Sequence, residues 1–385
     1  MQENKPFTPL EVINGKTLLD MDVPPIRYIV SDLLPVGLHL LAGSPKIGKS
    51  WFALWLCNQV ATGEKVWQFE TLRCPTRYLS LEDTLDRLHL RLSGITEEGS
   101  EESYFATKTD AGALVGQLES FIRQHPGVGL IVIDTFARVR DGAESSYLSD
   151  YEEMRKFKEL ADKHRLALVL VHHLRKAPDS DPVNMVSGST GLIGAVDGIY
   201  VLEKAKRIEN AAKLHITGRD TPDMQLELEF DRDENIWKFL GFASGEVESL
   251  DEKLLAALNK ILERDSFTGT ATDLIAAMKE IDSGIDIQPN RLTRLLRNKS
   301  LALEKRGISF ATKRTGSARM LVLEKSNAPA NDDDDRITPR GKEILPSPSR
   351  EPVQEGEETA LQSGAEHVCT RPVADDDDDK IAPRG

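Results

Sequence analysis

Five short, continuous apolar runs punctuate residues 37–243: LHLLAG (38–43), RYLSL (77–81), GLIVID (129–134), LALVLVH (166–172) and DGIYVL (197–202). They do not alternate with polar residues, as befits strands covered by helices on both faces. Helix-length stretches at 49–61, 83–93, 111–124 and 150–164 fall between most of them. Repeated strand, helix, strand predicts a mostly parallel sheet with right-handed crossovers. Residues 212–240 read differently. KLHITGRD, MQLELEFD and NIWKFL are short runs joined by polar turns, which predicts an antiparallel edge. Residues 1–36, with the pair Pro24 and Pro25, form an entry segment before this α/β domain of 37–243.

The pattern breaks at GFASGEVES (241–249), and a smaller unit follows over 250–325. Leu254, Leu255, Leu258 and Ile261 give 250–263 an apolar helical face. Two further helices are expected at 271–280 and 288–298, and ISFATKRTGSARMLVLE reads as a hairpin around Thr-Gly-Ser. Helices followed by a hairpin suggest a winged-helix-like domain. Residues 326–385 are rich in Asp, Glu, Pro and Ser and poor in aromatics, so a disordered acidic tail is expected.

Composition adds the class. The chain has 385 residues, 39% hydrophobic and 29% charged, enough for a large core and a small second domain. No run approaches a membrane span, and the first residues lack a basic start followed by an apolar run. Cys57, Cys74 and Cys369 are too few and too scattered for a disulfide framework or a zinc site. A cytoplasmic location is the expectation. The net charge of −14 argues against nucleic acid only until it is divided along the chain. Residues 291–325 carry 10 basic and 2 acidic side chains, whereas 331–385 carry 15 acidic and 7 basic. A basic module therefore lies next to an acidic tail.

The chemistry concentrates in the first domain. Residues 43–50, Gly43, Ser44, Pro45, Lys46, Ile47, Gly48, Lys49 and Ser50, fit G-x-x-x-x-G-K-[ST] between an apolar run and a helical one. Gly43 and Gly48 would take positive φ and let the backbone approach phosphates. The loop N–H groups and the helix N-terminus face an anion, Lys49 supplies a point charge, and Ser50 offers a hydroxyl to Mg2+. LIVID (130–134) ends on Asp134, a carboxylate placed to support the metal. Glu82 follows the strand after the loop's helix and can orient or deprotonate a water; Asp83 competes for that role. His172 and His173 end a third strand, where a polar side chain can sense a terminal phosphate. Arg219, past a short strand, is either a surface arginine or a group serving a neighbouring subunit. The polar segment 174–191, with Arg175 and Lys176, is expected to be flexible. It is a plain surface loop or a contact to nucleic-acid backbone.

In this order and spacing, the motifs resemble the RecA-like ATPase core of DnaB-type and RepA-type hexameric helicases, over roughly residues 35–232. RYLSLEDTLDRLHLRL resembles the stretch that carries the water-activating glutamate, here Glu82. LVLVHHLRK resembles the sensor strand and makes His173 the sensor; KLHITGRD resembles the strand that delivers an arginine finger, here Arg219. SGSTGLIGAVDGIYVL resembles the end of the DNA-facing loop. The resemblance implies ATP, Mg2+ and a hexameric ring of identical subunits with ATP sites at their interfaces. Two departures stand out. The helical N-terminal domain of DnaB helicases has no room here, and Thr217 sits where those helicases carry a second basic residue.

In PNRLTRLLRNKS (289–300), Arg291, Arg294 and Arg297 share one helical face opposite Leu292, Leu295 and Leu296. Lys313, Arg314 and Arg319 flank the hairpin tip. This pattern suits phosphates or a DNA major groove, and equally a protein-binding winged helix. The reading that follows is a RecA-like P-loop NTPase acting as a helicase or replication ATPase of a plasmid or mobile element. Its partners would be single-stranded DNA in the ring, duplex at the winged helix, and replication proteins, with no membrane. The main alternative is a non-translocating ATP switch, an initiator or helicase loader. A kinase and a scaffold with a vestigial ATPase are the remaining rivals.

Overall fold

A computed structural model describes residues 12–21, 26–139, 147–175, 179, 181–187, 190–204, 209–244, 252–263, 266–315 and 318–325. All belong to one unit spanning 1–339. The tail 326–385, Pro24, Pro25 and Lys176 lie outside the described residues.

The chain opens with a short helix α1 (Gly15–Asp20) and a small antiparallel pair, β1 (Tyr28–Val30) and β2 (Leu34–Pro35). A run of alternating elements follows: β3 (Gly37–Gly43), α2 (Lys49–Thr62), β4 (Thr76–Ser80), α3 (Leu85–Ser93), β5 (Ser103–Ala106), α4 (Leu114–Gln124), β6 (Leu130–Asp134), α5 (Tyr147–His164), β7 (Ala167–His173), α6 (Thr190–Ala195) and β8 (Gly198–Glu203). Then come β9 (Ala211–Gly218), β10 (Met224–Asp231) and β11 (Ile236–Ser244).

These strands form one nine-stranded sheet of order β11-β10-β9-β8-β3-β7-β6-β4-β5. Pairs from β8 to β5 are parallel, and those from β8 to β11 are antiparallel. The expected α/β architecture with a large, mostly parallel sheet and an antiparallel edge is what the structure has. Every residue of β3 and β6 is buried, because helices cover both faces. One core holds α2, with Leu54, Leu56 and Val60, against Val132, Val169 and Leu226; the other packs Phe136, Met154, Phe157 and Leu160 on Ile131, Leu168 and Leu170.

Several expectations shift. The end of the entry segment packs into the α/β domain: Ile29, Val30, Leu33 and Leu34 are buried in the first core, and the Leu72 N–H donates to Ile29 O at 2.8 Å. The break at 241–249 starts later, since β11 runs to Ser244. The 174–191 segment is pinned at its base, where Leu174 bridges Val186 and the Ser187 N–H donates to His173 O at 3.0 Å. Strand β5 carried no clear pattern because all four of its residues are only half-buried at an edge.

The later residues form α7 (Glu252–Leu262), β12 (Phe267–Gly269), α8 (Ala271–Ile281), α9 (Pro289–Asn298), α10 (Ser300–Glu304), β13 (Ile308–Thr315) and β14 (Ala318–Lys325). Their three-stranded antiparallel sheet has the order β12-β14-β13. Leu258, Leu274, Met278, Leu292, Leu296 and Leu323 build a separate core. Helix α8 starts with a capping box between Thr270 and Asp273, the kind of signal that fixes a helix start locally.

Candidate active site

Strand β3 delivers the loop 43–50 at the C-terminal edge of the sheet, where open α/β sheets bind ligands. Ser44, Pro45 and Lys46 are exposed and Ile47 is buried beneath them. The two glycines are needed for different reasons. Gly48 has φ +111, and the Trp237 ring stands 3.1 Å from where a Cβ would sit. Gly43 does not take the positive φ expected from sequence; a Cβ there would come 2.8 Å from the Leu202 carbonyl of β8. Lys46, with φ 63, takes the second left-handed position instead. No side chain caps α2 at Gly48, so its first N–H groups have no side-chain acceptor and favour an anion.

Lys49 is buried and its ammonium donates back to Gly43 O at 2.8 Å and Ser44 O at 3.1 Å. Burial pushes its pKa down to about 8, against the pull of Asp134 and Glu82. A phosphate in the loop would supply the counter-charge that the carbonyl dipoles only approximate. Asp134 ends β6, also buried, and the Tyr78 hydroxyl donates to one of its oxygens at 2.6 Å. The hydroxyl of Ser50 and the second carboxylate oxygen of Asp134 are hard donors. They fit Mg2+ completed by water and phosphate oxygens, and such an ion would neutralise phosphate charge.

The two adjacent acids after β4 separate clearly. Asp83 is engaged by Arg91 and, at 3.3 Å, by Arg87, and accepts from Ser80 Oγ at 3.3 Å. Glu82 is exposed and makes no hydrogen bond or ion pair among the described residues. A carboxylate already saturated by two guanidiniums is a poor base; a free one beside Lys49 is a good candidate. The histidines separate too. His172 is buried, with Nε2 on Ser187 O at 2.7 Å and its ring 5.9 Å from Phe136. His173 faces the other way, toward the field of Lys49, Glu82 and Asp134, and burial and Lys49 hold its pKa low. Because β7 lies between β3 and β6, the register sets His173 beside Gly43.

Loop 43–50, Glu82, Asp134 and His173 thus converge on one edge. Arg219 does not join them. Gly218 pairs with Gly198, which pairs with His39, four residues before Gly43 and about 13 Å back along the strand. Arg219 sits at the opposite edge, 3.2 Å from Asp197 and donating to Gly194 O at 3.2 Å. Arg175 is exposed and paired with Asp179 at 3.2 Å. On α9, Arg291 and Arg294 are exposed, Arg297 is half-buried, and Leu292, Leu295 and Leu296 are buried. Lys313 and Arg319 are exposed on the hairpin; the side chain of Arg314 lies outside the described residues.

Sequence reasoning missed Trp237, Tyr78, Arg87 and Arg91. Trp237 is fully buried and its indole N–H donates to Gly48 O at 3.2 Å across 189 residues of chain. No local pattern announces such a contact. Arg87 was legible as the i+4 partner of Asp83 on a helix face.

The G-x-x-x-x-G-K-S loop thus ends a central strand of the sheet, and a buried acid ends the strand two places away. Residues 8–179 match the AAA domain family. No curated protein matches the chain in sequence. Among solved structures, a DnaB-like replicative helicase, described with its interactions with primase, is similar at 16% identity and TM-score 0.43, over 52% of this chain and 58% of that one. A KaiC-like protein from Pyrococcus horikoshii is similar at 15% identity and TM-score 0.43, over 56% of this chain and all of that one.

Proposed function

We propose that the protein hydrolyses ATP with Mg2+ and acts on DNA as a ring-forming helicase or replication ATPase of a plasmid or mobile element. The observation that carries the hydrolysis is the meeting of Lys49, Glu82, Asp134 and His173 around the loop, with no hydrogen bond or ion pair on Glu82 among the described residues. Lys49 and the loop N–H groups hold the phosphates. Glu82 orients a water toward the terminal phosphate and takes its proton. His173, neutral at pH 7, reads that phosphate. Its carbonyl is bonded to Ser187, so a shift at the phosphate reaches the 174–191 segment directly. Ser50 and Asp134 would hold the metal. Arg219 lies too far from its own loop to act there, and is read as serving a neighbour in a head-to-tail ring.

Residues 250–325 are read as a winged-helix-like domain that presents Arg291 and Arg294 to DNA phosphates. Part of the expected basic charge turns inward, however. Lys299 is buried in an ion pair with Asp32, and Lys305 approaches Glu70 at 3.6 Å. The second reading, a non-translocating ATP switch, draws support from Arg219, which is already engaged within its own subunit by Asp197.

The deciding experiment measures ATP turnover with and without single-stranded DNA, and assembly mass in the same buffer. Stimulation by single-stranded DNA in a hexamer supports the motor. ATP-dependent duplex binding by a monomer or dimer, without stimulation, supports the switch. No turnover in either condition would overturn both.

A further inference from the structure

A nucleoside triphosphate laid along 43–50 with its terminal phosphate at Lys49, Glu82 and His173 must send its sugar and base out past the first turn of α2. In that turn Lys49 is folded back under the loop and Phe52 is buried in the core, while Trp51 stays half-buried at the surface. The Trp51 ring lies 6.4 Å from Phe230 at an interplanar angle of 54°, and the Arg91 guanidinium stands 5.7 Å from its centroid. Phe230 meets Trp237 edge-on at 5.1 Å, and Trp237 is the residue bonded to the Gly48 carbonyl. The Lys204 ammonium faces both rings, 4.9 Å from Trp237 and 5.9 Å from Phe230.

An aromatic and cationic rim therefore runs from the last glycine of the loop to the first turn of the helix. It is assembled from α2, α3, the end of β8 and the β10–β11 hairpin. Asp83 holds Arg91 in place before any ligand arrives. Trp237 is buried beneath this rim, while the half-buried Trp51, Phe230, Arg91 and Lys204 offer ring faces and cations, which suit a flat heteroaromatic base. The acid bonded to Arg91, Asp83, is saturated by Arg87 and Arg91 and has little capacity left to read a base edge. Stacking gains with ring area, so two-ring bases are favoured over one-ring bases.

We propose that Trp51, between Arg91 and Phe230, is the stacking platform for the nucleotide base, and that the site takes purine nucleoside triphosphates as a class, adenine and guanine alike, ahead of pyrimidines. This inference rests on the reading of loop 43–50 as a nucleotide site.

The test is equilibrium binding of ATP, GTP, CTP and inorganic triphosphate to the full chain, unchanged and as Trp51→Ala, Trp51→Phe and Arg91→Gln. Trp51→Ala should weaken ATP and GTP about tenfold, the scale of one base–aromatic stack, and erase the preference over CTP. It should leave inorganic triphosphate unchanged, and Trp51→Phe should keep most of the affinity. Arg91→Gln, at a half-buried position outside the apolar core, should weaken ATP by a smaller factor and also spare inorganic triphosphate. Unchanged ATP affinity in both Trp51→Ala and Arg91→Gln, or equal weakening of ATP and inorganic triphosphate, overturns the platform. If Trp51→Ala fails to fold, Trp51→Phe and Arg91→Gln decide alone. A tenfold or greater preference of the unchanged protein for ATP over GTP overturns the class assignment. Failure of the unchanged protein to bind either ATP or inorganic triphosphate would instead sink the nucleotide-site reading beneath it.

Discussion

The two edges of the central sheet treat charge in opposite ways. At the C-terminal edge, among the described residues, Lys49 hydrogen-bonds only to backbone carbonyls, Glu82 makes no hydrogen bond or ion pair, and burial and Lys49 lower the pKa of His173. At the other edge, Asp197 is buried and fully used: it pairs with Lys158 at 2.9 Å and Arg219 at 3.2 Å and accepts from the Leu38 N–H at 2.9 Å. Buried charge without an ionic partner is costly, and folding alone gives no reason to keep it. Where it persists, as at Lys49, it marks the place where the proposed phosphate would supply the counter-charge. Where it is satisfied, it is architecture.

That contrast can be broken most severely at Lys49. Lys49→Ala should lower ATP turnover by at least about 10³-fold, because a positioned charge at the transferring phosphate is gone. ATP should no longer raise its melting temperature. Near-normal turnover in the folded variant would dissolve the difference between the two edges.

The next largest effect belongs to the satisfied edge. His39 is fully buried there, donates its Nε2–H to Pro35 O at 2.8 Å, and has its pKa lowered to about 4 by burial. The folded state then binds fewer protons than the unfolded one. Stability is complete above pH 6.5 and falls as the pH drops toward 4, by about 2 kcal/mol at pH 5 and about 3 kcal/mol in all. Urea midpoints at pH 7.5 and pH 5 measure it, and His39→Gln should flatten the dependence. A variant with the same slope would move the acid sensitivity elsewhere.

Glu82→Gln should cut turnover by about 10²-fold while ATP binds normally, the scale of a lost general base. Asp83→Asn should cost much less, since its loss frees two arginines and removes no base. The reverse ranking would transfer the role to Asp83. The smallest effect on stability is expected at Arg219, whose side chain is 59% exposed. Arg219→Ala should change folding stability by less than about 1 kcal/mol, as exposed ion pairs do. If it also abolishes turnover, and activity returns on mixing with Lys49→Ala subunits, the exposed end of the pair serves a neighbour. Normal turnover would make it architecture like Asp197.

Much of this was legible in the sequence because it is local. Continuous apolar runs set the parallel strands, since a strand buried on both faces has no polar side to show. The loop 43–50 announced itself because phosphate binding needs fixed residue types at fixed spacing. The order of motifs gave the candidate acid, metal support and sensor. What stayed hidden depends on contacts between distant segments. Nothing near Glu82 and Asp83 says which acid two arginines will claim, or near His172 and His173 which ring will face the loop; strand register and helix packing decide both. Gly43 reads as a backbone-freedom residue and proves to be a steric one, because a carbonyl of β8 presses on it. Lys299, counted in the sequence only as one of ten basic side chains over 291–325, proves to be buried against Asp32, since only the assembled chain brings residues so far apart into contact. Composition and periodicity report what each segment buries, but the partner of each buried charge is set by the neighbours that folding supplies.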